Sequence, residues 1–166
     1  MWYNSTSNVW KVEEITASGS WASGGPLNTA RGGVGGAGTQ TAALAFGGSN
    51  STFSPTSATE EYDGNSWTNS NNMNTARYGL AGSMNGTQTA ALGFGGSVPP
   101  YSAATEAYDG TSWANETSMS TARAQLGGAG IQTSALAFGG DALGELAATE
   151  EFTGPGAAVT RTITVS

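Results

Sequence analysis

The sequence predicts an all-β fold in which one four-stranded antiparallel unit is used about three times, and three observations predict it. A phrase returns at a fixed interval: Thr29-Ala30-Arg31, Thr75-Ala76-Arg77 and Thr121-Ala122-Arg123 are each 46 residues apart. Within each copy the apolar period is two, as a half-buried strand requires. Asp-Gly then stands between aromatic segments, Tyr62 to Trp67 and Tyr108 to Trp113, which is a hairpin signal.

The elements follow in order along one copy. After the Thr-Ala-Arg phrase comes a glycine-rich run holding Val34, Leu80 or Leu126. Such a run makes a poor isolated strand and suits a place where strands crowd together. An alternating strand comes next; over residues 89–94, Ala90, Leu92 and Phe94 share one face and Thr89, Ala91 and Gly93 the other. One large and one small face suit sheets stacked face to face, with large side chains entering the room left by small ones. A glycine pair closes this strand (Gly47-Gly48, Gly95-Gly96, Gly139-Gly140), and Tyr62, Tyr108 or Phe152 leads into the last hairpin. Repeat 2 has two extra residues before its glycine pair and repeat 1 two extra after its own, as loops allow.

The third copy lacks a final tryptophan, while Trp21 stands 46 residues before Trp67. Residues 1–28 are therefore expected to hold the last strand of a shared unit, which Trp21 would complete by joining repeat 3. The alternating tail at 160–166 competes for that role. At the start of the chain, Tyr3, Val9, Trp10 and Val12 flank a polar turn, the pattern of a β-hairpin. The chain divides into residues 1–28, then repeats at 29–74, 75–120 and 121–166, the last ending in a closing strand.

Composition excludes several functions. Charged residues are 10% of the chain, and 5 Lys and Arg against 12 Asp and Glu give a net charge of -7. That sign opposes nucleic-acid backbones and anionic bilayers, so neither partner is expected. Without cysteine or histidine there is no disulfide, no thiolate metal site, no imidazole base and no Ser/His or Cys/His nucleophile. No EF-hand spacing and no phosphate-cradling Gly-Lys motif occurs, so neither metal nor cofactor is expected. No run of eighteen apolar residues exists, and the N-terminal stretch has neither the basic flank nor the apolar run of a secretory signal, so a soluble chain is expected. Of the acids, Glu60, Glu106 and Glu150 recur once per copy, which points to structural hydrogen bonding; neighbours such as Glu60 and Glu61 point to opposite strand faces and do not form a hydrolytic pair.

Arginine, a glycine pair, tyrosine and tryptophan in that order resemble the kelch-type β-propeller blade, over residues 29–152. The resemblance implies about three blades per chain, with Arg31, Arg77, Arg123, Tyr62, Tyr108, Trp21, Trp67 and Trp113 as structural repeat positions. The Tyr-to-Trp interval is shorter than is usual for kelch repeats, which implies a tighter hairpin. Known propellers typically have about four to eight blades, so two chains are expected to close a ring of about six. Galactose oxidase uses such a propeller, but its copper site needs the histidine and cysteine that are missing here. Sialidases cluster arginines on a propeller; here each arginine recurs in the same context, which reads as a tie from blade to blade through backbone carbonyls.

The phrases "GTQTAALAFGG" and "ATEEYDGNSW" also resemble kelch-like proteins of marine phages and their hosts, and the N-terminal hairpin is similar to those preceding the receptor-reading parts of phage tail fibres. This implies a non-enzymatic virion protein of the tail, with other virion proteins and a host-surface glycan or protein as partners. The alternative is a cellular kelch-like interaction module, with a glycan-acting enzyme third. The copies differ most after the glycine pair, where they read "SNSTFSPTS", "SVPPYSA" and "DALGELA". In a propeller these loops share one face. Phe53 and Tyr101 are the leading contact candidates, because an exposed aromatic ring offers a stacking platform. Pro99, Asp141 and Glu145 complete the candidate ligand-binding set.

Overall fold

The computed structural model describes residues 18–156 and the paired backbone of two short antiparallel strands, β1 (Trp2–Asn4) and β2 (Val9–Lys11). The closing strand expected at 160–166 lies outside the described residues. Among the described residues there is no helix, and three antiparallel sheets follow one another along the chain. Sheet 1 is β3 (Gly35–Thr39), β4 (Ala42–Phe46), β5 (Thr59–Tyr62) and β6 (Trp67–Ser70), with spatial order equal to chain order. Sheet 2 is β7 (Ala81–Gly82), β8 (Ala91–Phe94), β9 (Thr105–Tyr108) and β10 (Trp113–Glu116), in the same order. Sheet 3 has three strands, β11 (Gly127–Ile131), β12 (Ser134–Phe138) and β13 (Thr149–Thr153).

The Asp-Gly signal acts as an asparagine-type turn. Asp63 Oδ1 accepts the N–H groups of Asn65 (2.8 Å) and Ser66 (2.7 Å), and Asp109 does the same for Thr111 and Ser112. These bonds hold both carboxyls below the usual range. Each turn brings an aromatic pair into register, Tyr62 opposite Trp67 and Tyr108 opposite Trp113, with ring centroids 4.9 and 5.1 Å apart. The second strand of repeat 2 starts at Ala91, later than the pattern from Thr89 suggests, because the two extra residues widen the turn before it. That longer turn bonds both neighbouring sheets, Gly38 N–H to Gly86 O and Asn85 N–H to Gly130 O.

The sheets stack with large faces against small ones. Phe46 of sheet 1 occupies the space over Gly93 of sheet 2, where a Cβ would come within 2.7 Å of its ring. One core lies between sheets 1 and 2, formed by Leu44, Phe46, Met73, Leu80, Tyr108 and Trp113. Its counterpart between sheets 2 and 3 is formed by Leu92, Phe94, Leu126, Ala135 and Ala137, with Met119 and Phe152 against it. Burial follows position in the stack more than residue type. Phe46 and Phe94 are 0% and 3% exposed, whereas Phe138, their equivalent on the outer face of sheet 3, is 43% exposed. At the other end Val34 is 38% exposed, against 5% and 9% for Leu80 and Leu126.

Each sheet also encloses one ion pair. Arg31 meets Glu60 (3.0 Å), Arg77 meets Glu106 (3.1 Å) and Arg123 meets Glu150, all three arginine side chains being buried. The terminal guanidinium nitrogens also donate to backbone carbonyls, for Arg77 those of Gly93, Gly95 and Ala104, while Nε does not. The backbone of Arg77 bonds residues of the first repeat: its N–H donates to Thr56 O, and its carbonyl accepts from Gly48 N–H. The other carboxylate oxygen accepts a backbone N–H from the incoming link, from Asn28, Asn74 or Ser120. One pair thus fastens the link, the inner strands and the third strand of its sheet.

Two predictions follow from this packing. Replacing Arg77 by methionine strands Glu106 uncompensated in the interior, and chemical denaturation should register a loss of about 3–5 kcal/mol, whereas Arg77→Met with Glu106→Leu should cost clearly less. Tyr108 is the second case: burial first, then its hydrogen bond to Glu61 (2.6 Å), pushes its phenol up from 10.0 to about 12. The neutral phenol is the form the fold favours, so its contribution is complete below about pH 10 and is lost as pH rises to about 12. An alkaline melting series on Tyr108→Phe should show a flatter decline over that window than the parent.

Candidate functional site

The variable loops leave each sheet through its glycine pair. Both glycines of every pair have positive φ, from 65° to 104°, and a Cβ on Gly47 would sit 2.7 Å from the Arg77 carbonyl, so the turn demands glycine. The next residue, Ser49, Ser97 or Asp141, bridges back to Gly32, Tyr78 or Ala124 and forward to Pro55, Tyr101 or Glu145. All three loops are therefore anchored alike while their side chains differ.

Between the second and third loops is a cavity of about 340 Å³, lined among others by Tyr78, Pro99, Tyr101, Gln125, Asp141 and Leu143. The Tyr101 hydroxyl donates to Asp141 Oδ2 at 2.5 Å, and Asp141 Oδ1 accepts the Gly144 N–H at 2.8 Å. The hydrogen bond to Tyr101 holds the Asp141 carboxyl below the usual carboxylate range, and the same bond raises the phenol. At neutral pH the cavity presents an ionised carboxylate beside a neutral phenol. Phe53, 72% exposed, lies against the same place, its ring 6.4 Å from that of Tyr78. Phe53, Gln125 and Leu143 have φ of 57°, 53° and 67°, the left-handed region that bulky residues rarely enter. Such strain concentrates where a side chain must be held in one direction.

Of the residues singled out from sequence, Pro99, Tyr101 and Asp141 line this cavity, and Phe53 joins them through Tyr78. Glu145 is exposed and touches the site only through its backbone bridge to Asp141. Sequence reasoning missed Tyr78, Gln125 and Leu143. A signal for Tyr78 existed, since the position after the constant Thr-Ala-Arg reads Gly32, Tyr78 and Ala124. Arg31, Arg77 and Arg123 do not converge on any surface, each being committed to its own glutamate. Trp113 is buried, Trp67 half-buried and Trp21 fully exposed outside any strand.

Chemically, two phenolic rings, a proline and one carboxylate can stack on a ring and accept its hydroxyl groups. Among the described residues no group of three His, Cys, Asp or Glu side chains is placed to hold a metal ion, and no helix is long and apolar enough to cross a membrane. No protein-family model matches the chain, and no curated protein matches it. The strain at Phe53 gives a direct check: Phe53→Gly, which adopts φ of 57° freely, should hold or raise thermal stability, by up to about 1 kcal/mol, because the relief offsets the entropy that glycine adds to the unfolded chain.

Proposed function

We propose that this chain is a non-enzymatic recognition protein of a bacteriophage virion, a tail-fibre or tail-associated component that presents its loops on a kelch-like β-propeller. The blade reading is supported by three repeats that each return to the same stacked antiparallel sheet, with the first strands innermost, β3 against β7 and β8, and β7 against β11. The virion setting rests on the resemblance of the repeat phrases. The observation that carries recognition is the cavity where Tyr78, Tyr101 and ionised Asp141 meet, beside the exposed ring of Phe53. Its frame is constant between repeats and its lining is not, which is how a scaffold changes ligand without changing fold.

A host-surface glycan suits this lining better than a protein does. Flat aromatic faces pack on the C–H faces of a sugar, and a carboxylate accepts paired hydroxyls. The net charge of -7 and Asp141 itself disfavour acidic sugars, so neutral hexoses are the expected class. A glycan array probed with the parent chain should return neutral glycans. Tyr78→Ala and Tyr101→Ala should each weaken that binding by at least about tenfold, as loss of an aromatic anchor does. Both variants should keep melting temperatures near that of the parent. An array blank for the parent, or binding unchanged in both variants, would remove the glycan reading, and retained attachment to host cells would then favour a protein receptor.

A further inference from the structure

We infer that the cavity between sheets 2 and 3 is an unfilled tryptophan socket, and that its occupant is Trp21 of a second copy of this chain. The template lies one sheet away. Between sheets 1 and 2, Trp113 packs edge-on against Phe46 (4.9 Å) beside Tyr108, near Met73, and its Nε1–H donates to Thr59 Oγ1 (3.0 Å). The repeat equivalents of those four residues are Phe94, Phe152, Met119 and Thr105. All four line a cavity of about 250 Å³ in the place where a tryptophan of sheet 3 would sit. Among the described residues sheet 3 has no fourth strand, and none of them pairs with the outer edge of β13.

Trp21 is the repeat equivalent of Trp67 and Trp113, and it is fully exposed. Its own chain holds it on the wrong side of the stack. Gly25 O accepts the Trp67 Nε1–H (3.2 Å), on the face of sheet 1 turned away from sheet 2. From Gly25 back to Trp21 the chain reaches at most about 14 Å. The socket lies beyond two sheets spaced about 10 Å apart. A second copy whose sheet 1 stacks on this chain's sheet 3 brings its Trp21 alongside β13 without any rearrangement. With sheet 1 as template, Trp21 pairs with Phe152, Ala22 with Glu151, Ser23 with Glu150 and Gly24 with Thr149.

The two open faces match in their polar contacts as well. Inside the chain, Tyr108 donates to Glu61 of the preceding sheet, and Gln88 and Gln132 donate to the carbonyls of Tyr62 and Tyr108 of theirs. Between sheets 2 and 3 the Tyr–Glu pair is replaced by Phe152 and Ala107, so the pair changes as a unit. At the open ends both polar members are present: Tyr62 and Gln40 on the leading face, Glu151 on the trailing one. The rungs near the centre behave alike, with Gln125 N–H bonded to Gly79 O and Gly79 N–H to Gly33 O, so Gly33 faces the next copy. Two such junctions close a ring of two chains and bury Phe138 and Val34, which a lone chain leaves exposed.

Light scattering on the whole chain at micromolar concentration should give twice the mass of one chain. Trp21→Ala should stay folded, since Trp21 makes no contact that holds the single chain together, and should weaken self-association by at least about thirtyfold. The chain has no cysteine, so a cross-link can form only between introduced thiols. Mixing Ala22→Cys with Glu151→Cys chains under oxidation should give a linked pair that neither variant gives alone. A stable monomer, no cross-link in the mixture, or open-ended assemblies in place of a pair would overturn the proposal. So would a dimer that survives Trp21→Ala but is lost when residues 157–166 are removed, because the socket would then belong to the chain's own tail.

Discussion

The structure depends on one arginine–glutamate pair per sheet, closed off on both sides in sheets 1 and 2 and on the arginine side in sheet 3. A meander of four short strands rich in alanine and glycine has little apolar area with which to hold its connecting links. The pair supplies what those side chains cannot, since a single guanidinium reaches several carbonyls of its own sheet while its glutamate caps the incoming link. The desolvation is severe, and burial lowers the Arg77 guanidinium while Glu106 opposes that shift. It is not perfectly offset, because the Nε of all three arginines has no hydrogen-bond partner in its surroundings. A pair of this kind contributes geometry more than net stability. It fixes the distance between link and sheet, and with it the register of everything that leaves the sheet, the variable loops included.

How much of this was legible in the sequence depended on whether a property is local. The Asp-Gly turns, the aromatic register and the alternation of large and small faces are set by residues within one repeat, and the sequence displays the first two twice and the third three times. The recurrence of Arg31, Arg77 and Arg123 in one context was legible for the same reason, but the expected tie from sheet to sheet was not what the side chains form: each guanidinium bonds carbonyls of its own sheet. Burial was not. Trp67 and Trp113 occupy the same repeat position, yet one is half-buried and the other nearly closed off, because what covers a face is the neighbouring sheet. Within the site, Pro99, Tyr101 and Asp141 were found by their variability. Tyr78 was hidden beside a constant motif, and only the bridge to Ser97 brings it to the loops. Glu145 is exposed, and only its backbone bridge to Asp141 ties it to the site.

The site itself illustrates a division between frame and lining. The glycine pair and the two bridges around it are common to all three loops, whereas Ser49, Ser97 and Asp141 at the same position have different chemistry. Only the third carries charge, and only the second repeat has tyrosines at both positions that face it. One repeat therefore contributes rings and the next contributes the carboxylate. A cavity assembled across a sheet boundary requires that the sheets keep their spacing. The inter-sheet bonds of Gln88, Gln132 and the widened turn at 83–90 maintain that spacing from the far end.

This dependence gives the open ends of the stack a bearing on recognition. A single chain holds one junction of the kind that forms the cavity, between sheets 2 and 3, and the aromatic layer of that same junction is incomplete. A tryptophan entering there would fix the separation of the two sheets whose loops carry Tyr101 and Asp141. Closing a ring of two chains would also place two such cavities on one face. Sugar sites built from a few aromatic contacts are weak one at a time, and presenting two on a rigid frame converts the second encounter into an intramolecular one, with gains of about a hundredfold or more when the spacing fits the target. Assembly and recognition would in that sense be one problem for this chain: a contact that completed the third sheet would also stiffen the cavity and double it.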